Sequence, residues 1–203
     1  MTGLQSITLE VPDVAAAETF YADLGVGKYV DVRAAGAPAT GFRGFTLSLV
    51  VSQPNVVDAF VEAAVAGGAA VVKPAKKSLW GYGGVVQAPD GALWKIATSA
   101  KKDRGPAVRE FESLVLLLGV ADVKAGKAFY VDRGFEVAKS FGRKYAEFAG
   151  PSSNVTLALY GRRALAKDAG VSDEDAGSHG LLIGGDAGPF TDPDGFVWED
   201  ARR

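Results

Sequence analysis

The chain contains no cysteine, one histidine and one methionine. Without cysteine there are no disulfides, thiolate metal sites, iron–sulfur clusters or cysteine nucleophiles. A single histidine leaves little for a transition-metal centre, which takes at least three nitrogen, oxygen or sulfur ligands. No apolar run reaches the ~18 residues of a membrane-spanning helix. The opening MTGLQSITLEV lacks the charged-then-apolar order of a secretory signal. Excess charge of one sign is also missing, with 22 Lys+Arg against 24 Asp+Glu. Residues 1–100 hold 7 and 8 of these, and residues 101–203 hold 15 and 16. Neither half offers the basic stripe that nucleic acid or an anionic membrane requires. These absences predict a cytoplasmic protein with neither partner.

What is present is an ordinary globular composition, 48% hydrophobic and 23% charged in 203 residues, with 26 glycines to supply turns. A repeat organises it. Asp13-Val14 stands seven residues before Phe20-Tyr21, with Gly25 following; Asp122-Val123 stands seven before Phe129-Tyr130, with Gly134 following. The offset is 109 throughout. Pro89-Asp90-Gly91 with Trp94 returns as Pro193-Asp194-Gly195 with Trp198, at offset 104. The order predicts two tandem units, 1–100 and 111–203, joined by a polar linker over 101–110.

Each unit reads alike. Ser6–Val11 alternates Ile7, Leu9 and Val11 with Thr8 and Glu10, a strand with one buried face. Asp13 caps a helix whose apolar stripe is Val14, Ala17, Phe20, Tyr21 and Leu24, and Gly25 ends it. Val115–Leu118, Asp122, Val123, Phe129, Tyr130 and Gly134 repeat the pattern. Strands are expected at 26–34, 44–51, 84–87 and 92–98, and at 135–141, 145–148, 155–160, 181–184 and 196–200. A second helix capped by Asn55 is expected to match a shorter one over 162–169. The Phe-Tyr pairs, Trp94 and Trp198 read as core.

Leu9-Glu-Val-Pro-Asp13, Phe20-Tyr21, Leu24-Gly25, Trp80-Gly81-Tyr82-Gly83-Gly84, Pro89-Asp90-Gly91 and Asp192-Pro-Asp-Gly-Phe-Val-Trp-Glu199 together resemble the vicinal oxygen chelate superfamily of glyoxalase I, bleomycin-resistance proteins and extradiol dioxygenases. The resemblance implies an α+β fold. Two βαβββ modules form half-open barrel sheets with helices outside. It also implies ligand positions for a divalent metal: a first-strand residue seven before the capping Asp, and a last-strand residue four after the turn glycine. Here these positions hold Ser6, Lys95, Val115 and Glu199. Valine has no donor, and a lysine replaces a carboxylate. We therefore expect no metal cofactor. A divalent ion serving a lactoylglutathione lyase-like isomerase or a dioxygenase is the alternative.

Other chemistry finds little footing. There is no Gly-x-Ser-x-Gly elbow, and Gly81-Tyr-Gly83-Gly84 lacks the Lys-Ser/Thr and helix of a phosphate loop. Ser178 and His179 are sequence neighbours, a poor geometry for a nucleophile and its base. Glu199 is the catalytic candidate, as a general base in a desolvated cleft. Flat rings with polar edges suit planar organic ligands. The rings therefore nominate Trp80 and Tyr82 in one cleft; the resemblance, which implies that last-strand residues four beyond the turn glycine face inward, adds Lys95 there and places Glu199, with His179 nearby, in the other. The expectation is a metal-free small-molecule-binding protein, acting as a monomer or homodimer.

Overall fold

The computed structural model describes residues 2–35, 41–150, 155–174 and 178–200. The first half contains β1 (Leu4–Val11), α1 (Val14–Leu24), β2 (Val30–Ala34), β3 (Phe45–Val50), α2 (Pro54–Ala66), β4 (Ala70–Ser78), β5 (Gly81–Gln87) and β6 (Leu93–Thr98). The second contains β7 (Ser113–Val120), α3 (Val123–Val131), β8 (Val137–Ser140), β9 (Tyr145–Phe148), β10 (Val155–Gly161), α4 (Arg162–Ala169), β11 (Leu181–Gly185), β12 (Phe190–Thr191) and β13 (Val197–Asp200). Two mixed open sheets result, ordered β12-β13-β11-β1-β2 and β4-β5-β6-β3-β7-β10-β9-β8. The fold is α+β, as expected. No helix among the described residues is long and apolar enough to cross a membrane.

Both sheets take strands from both sides of the linker, through two antiparallel ladders. Phe45, Leu47 and Ser48 of β3 face Leu118, Leu116 and Val115 of β7. Leu181, Ile183 and Gly184 of β11 face Leu9, Ile7 and Ser6 of β1. The registers coincide under the repeat, so β3 corresponds to β11 and β7 to β1. The flanking pairs agree: β3 with β6 and β11 with β13 are parallel, as are β7 with β10 and β1 with β2. This overturns the expected match between the helices at 54–66 and 162–169. α2 follows β3, whereas α4 precedes β11. In the second unit the position of α2 is a loop between β11 and β12.

Local chemistry fixes the helix ends. Asp13 accepts from the Ala16 amide at 3.0 Å. Asp122 accepts from the amides of Ala125 and Lys124, which hold its carboxyl below the usual range. Gly25 closes α1 at φ 85°, where a side chain would be strained. α2 starts two residues earlier than expected, with Pro54 in its first turn and Gln53 as the cap residue. Asn55 is no cap; its amide donates instead to Asp103 of the linker, at 2.7 Å.

The two repeated marks meet in the core. Tyr21 of α1 donates to Asp90 of the Pro-Asp-Gly turn at 2.6 Å, and its ring lies 5.6 Å from that of Trp94. Tyr130 of α3 donates to Asp192 at 2.8 Å and accepts from Trp198 Nε1 at 3.1 Å. All four rings are buried, so the reading of these aromatics as core holds. The partners are not equivalent, because Asp192 stands before Pro193 while Asp194 instead caps the amide of Ala121 at 2.7 Å. Burial and the adjacent carboxylates push both phenols well above their ordinary values. Burial likewise raises the Asp192 carboxyl.

Asp192 accepts from Tyr130, Asp194 N and Phe196 N. Asp192→Ala strands all three donors and should cost about 2–4 kcal/mol in denaturant unfolding. Its raised carboxyl stabilises the fold fully only below the ordinary aspartate value, and that contribution is lost as pH rises through the raised one. Asp192→Asn should therefore gain on the native chain as pH rises from 3 to 7. A constant difference across that range would show that the carboxyl is not raised.

Candidate functional site

The eight-stranded sheet has two unlike faces, because directly paired residues share a face and neighbours along a strand alternate. Val86, Trp94, Leu47, Leu116 and Leu157 form the row covered by α2 and α3. One step along, Val85, Lys95, Ser48, Val115 and Thr156 form a row on the other face. α4 lies on that second face. Its Leu165, Ala166 and Ala169 pack with Phe42, Val85 and Leu93 in a small core of their own. Among the described residues α4 is thus the one helix on this second face of the sheet. The Asp168 carboxylate on α4 reaches Lys95 Nζ at 2.5 Å. Lys73 Nζ donates to the last carbonyls of the helix, Lys167 O at 2.8 Å and Asp168 O at 2.6 Å. A cation at a helix C-terminus also complements the helix dipole.

Beside the end of α4 a cavity of about 270 Å³ remains, bordered by Lys73, Lys76, Trp80, Tyr82, Lys95 and Asp168. Trp80 is 83% exposed in the turn between β4 and β5. The structure therefore brings three of the expected residues, Trp80, Tyr82 and Lys95, to one cavity. Tyr82 borders it with its hydroxyl turned away, donating to Asp58 of α2 at 2.8 Å, a bond that raises the phenol. Gly83 faces the cavity floor, where a Cβ would meet Ile96 O at 2.9 Å.

The five-stranded sheet presents a different face. Ser6, Gly184 and Glu199 are successive cross-strand neighbours. From the far edge, Arg33 of β2 reaches Glu10 at 2.9 Å and comes within 3.8 Å of Glu199. An edge residue can reach across the two intervening strands, β1 and β11, only if the sheet curls, so this face is concave. Glu199 is held by an arginine and is half exposed.

His179 does not join Glu199. It precedes β11, at the opposite end from Gly184. Nδ1 lies 2.7 Å from Arg43 O, Nε2 lies 3.0 Å from Asp194 O, and the ring stacks on Phe196 at 4.0 Å. Both nitrogens are engaged by the backbone, and the ring braces a turn.

The four positions implied as metal ligands do not meet either. Ser6 and Glu199 belong to one sheet, Lys95 and Val115 to the other. Completing each row adds Ser48 and Thr156 on one side and Gly184 on the other. Lys95 and Val115 leave the first row two hydroxyls, and Gly184 and the Arg33-paired Glu199 leave the second one hydroxyl and one carboxylate. Neither set fits a divalent transition metal. Among the described residues no group of three or more His, Cys, Asp or Glu side chains is placed to hold an ion.

Sequence reading missed Asp168, Lys73 and Arg33. Arg33 carried a signal, since parallel strands at Val11 and Ala34 would set it beside Glu10. Asp168 carried none, because nothing local tells a short amphipathic helix which face of which sheet to cover.

No protein-family model matches the chain, and no curated protein does. Among solved structures the chain is similar to glyoxalase I from Zea mays, at 14% identity and a TM-score of 0.60 over 98% of this chain and 91% of that one. It is also similar to a putative dioxygenase from Bacillus subtilis, at 14% identity and a TM-score of 0.52 over 95% and 71%. The chain therefore has a glyoxalase-like fold.

If α4 is a packed filling of the sheet face, Leu165→Ala should destabilise the chain by about 2–4 kcal/mol. Leu165 is 1% exposed. A loss below about 1 kcal/mol in chemical denaturation would show that α4 is only loosely laid on the sheet.

Proposed function

We propose that the protein is a metal-free binder of a small organic anion with a flat ring, held in the cleft beside α4. The observation that carries this reading is the gathering of the exposed Trp80 and three lysines, Lys73, Lys76 and Lys95, around a cavity of about 270 Å³ also bordered by Asp168. An indole that stays in solvent gains by stacking on a planar ligand. The lysines favour a carboxylate or phosphate at its edge. The cavity is of the size that takes a one- or two-ring molecule. In this reading two units, 1–100 and 111–203, act as one binding scaffold in the cytoplasm; the repeated motifs support the division into units. The superfamily fold supports the binding reading no further than its architecture, and Lys95 in a ligand position argues against metal chemistry there.

Trp80→Ala should weaken an aromatic carboxylate by on the order of 1 kcal/mol or more, about fivefold in dissociation constant by calorimetry. Unchanged affinity removes the indole from the site. Metal analysis is expected to find no stoichiometric transition metal, and chelator should leave the melting temperature unmoved. A fall of several degrees would restore the metal-dependent reading, because a resident ion stabilises the native state by mass action.

A further inference from the structure

The cleft beside α4 already contains an anion. Asp168 projects from the last turn of the helix onto Lys95 Nζ at 2.5 Å. Lys95 stands in the middle of the inner row, between Val85 and Ser48. The C-terminal carbonyls of the same helix take Lys73. Two of the three cleft lysines are thus occupied by one end of α4, through one full and several partial negative charges. An organic anion entering the cavity meets these lysines already engaged.

Building on the binding reading above, we infer that Asp168 is a built-in competitor for the ligand's anionic group, and that it sets the affinity and charge selectivity of the cleft. The ligand's carboxylate or phosphate takes Lys95 from Asp168, and its ring lies toward Trp80. The exchange is feasible because the pair is accessible: the Lys95 side chain is 37% exposed and that of Asp168 43%. The helix itself stays seated, held by Leu165, Ala166 and Ala169 in their apolar core. Gly170, in the left-handed region at φ 85°, ends the helix immediately after Asp168 and Ala169. The carboxylate therefore sits on a terminal turn and can swing out while the apolar side of the helix stays packed. The device makes the cleft selective. A neutral molecule of the same shape gains nothing at Lys95 and leaves the ion pair intact, whereas an anion exchanges one charge-assisted bond for another.

The test uses the full chain and two probes of one shape, 1-naphthoate and its neutral carboxamide 1-naphthamide, titrated by calorimetry. The native chain is expected to bind naphthoate more tightly than naphthamide. Asp168→Asn keeps the side-chain volume and frees Lys95; it should tighten naphthoate about fivefold, the scale of a part-exposed ion pair, and leave naphthamide within twofold. Lys95→Met should abolish that gain in the double variant. Asp173→Asn removes a charge paired with Arg163 instead, and should leave both probes unchanged. Naphthoate binding that ignores Asp168, or a gain shared by naphthamide or by Asp173→Asn, overturns the competitor role and leaves the binding reading standing. Failure of both probes to bind any of the proteins overturns the binding reading, and the competitor with it.

Discussion

Two antiparallel ladders, β3 on β7 and β1 on β11, hold the architecture together. Each joins a strand from before the linker to one from after it. Remove either, and a central strand becomes an edge with a row of buried, unpaired backbone groups. The ladders are staked where β3 and β11 begin. There Arg43 donates Nε to His179 O at 2.8 Å, and the His179 ring faces Arg43 O. The same guanidinium reaches Gly180 O and, at 3.3 Å, Glu10 O. Arg43 is only 4% exposed. Burial lowers its pKa while the fields of Asp90, Tyr21 and Glu10 oppose the fall. Nη1 is buried without a partner, so the carbonyls at Nε and Nη2 carry the burden of holding this cation, and losing any of them is costly; the pair favours one arrangement of the two strands.

Around that frame the two halves of the chain carry different elements. The first has α2 and the long strand β4; the second has β8, β9 and α4 instead. The difference decides what the open sheet faces can do. α4 turns one face into a partly filled cleft with a basic wall. The other face keeps Glu10, Arg33 and Glu199 as a mutually paired charged set. One folding pattern thus carries two surfaces of different electrostatic character.

Much of this was legible in the sequence. The caps at Asp13 and Asp122, the helices they start and the buried Tyr–Trp pairs follow from spacing, because helix and strand periods are local properties. The repeat was visible too, yet its pairing of second helices failed. Offsets of 109 and 104 conceal a larger excursion between them: β3 to β11 is a step of 136. An insertion and a deletion nearly cancel, and only strand register separates them. β4 escaped because Lys73-Pro74-Ala-Lys-Lys77 has neither alternation nor β-branched residues. Trp80 and Lys95 were found by motif. Asp168, on which their environment depends, arrives through a tertiary contact with no trace in local pattern.

Open sheets end in strands with unpaired backbone, and among the described residues the two sheets have four such ends. β4 is irregular, with two shifts of register, a proline and three lysines. β8 has four residues, a shift beside Val137 and the exposed Lys139. β12 has two residues. β2 has five, and Asp31 and Arg33 stand among them. Proline removes a donor, a bulge breaks the spacing of the next ladder, and a lysine cannot be enclosed between stacked chains. Each border of the two sheets is blunted by a different device. The chain can keep wide, partly uncovered β-surfaces without offering any border as a template on which further chains could polymerise.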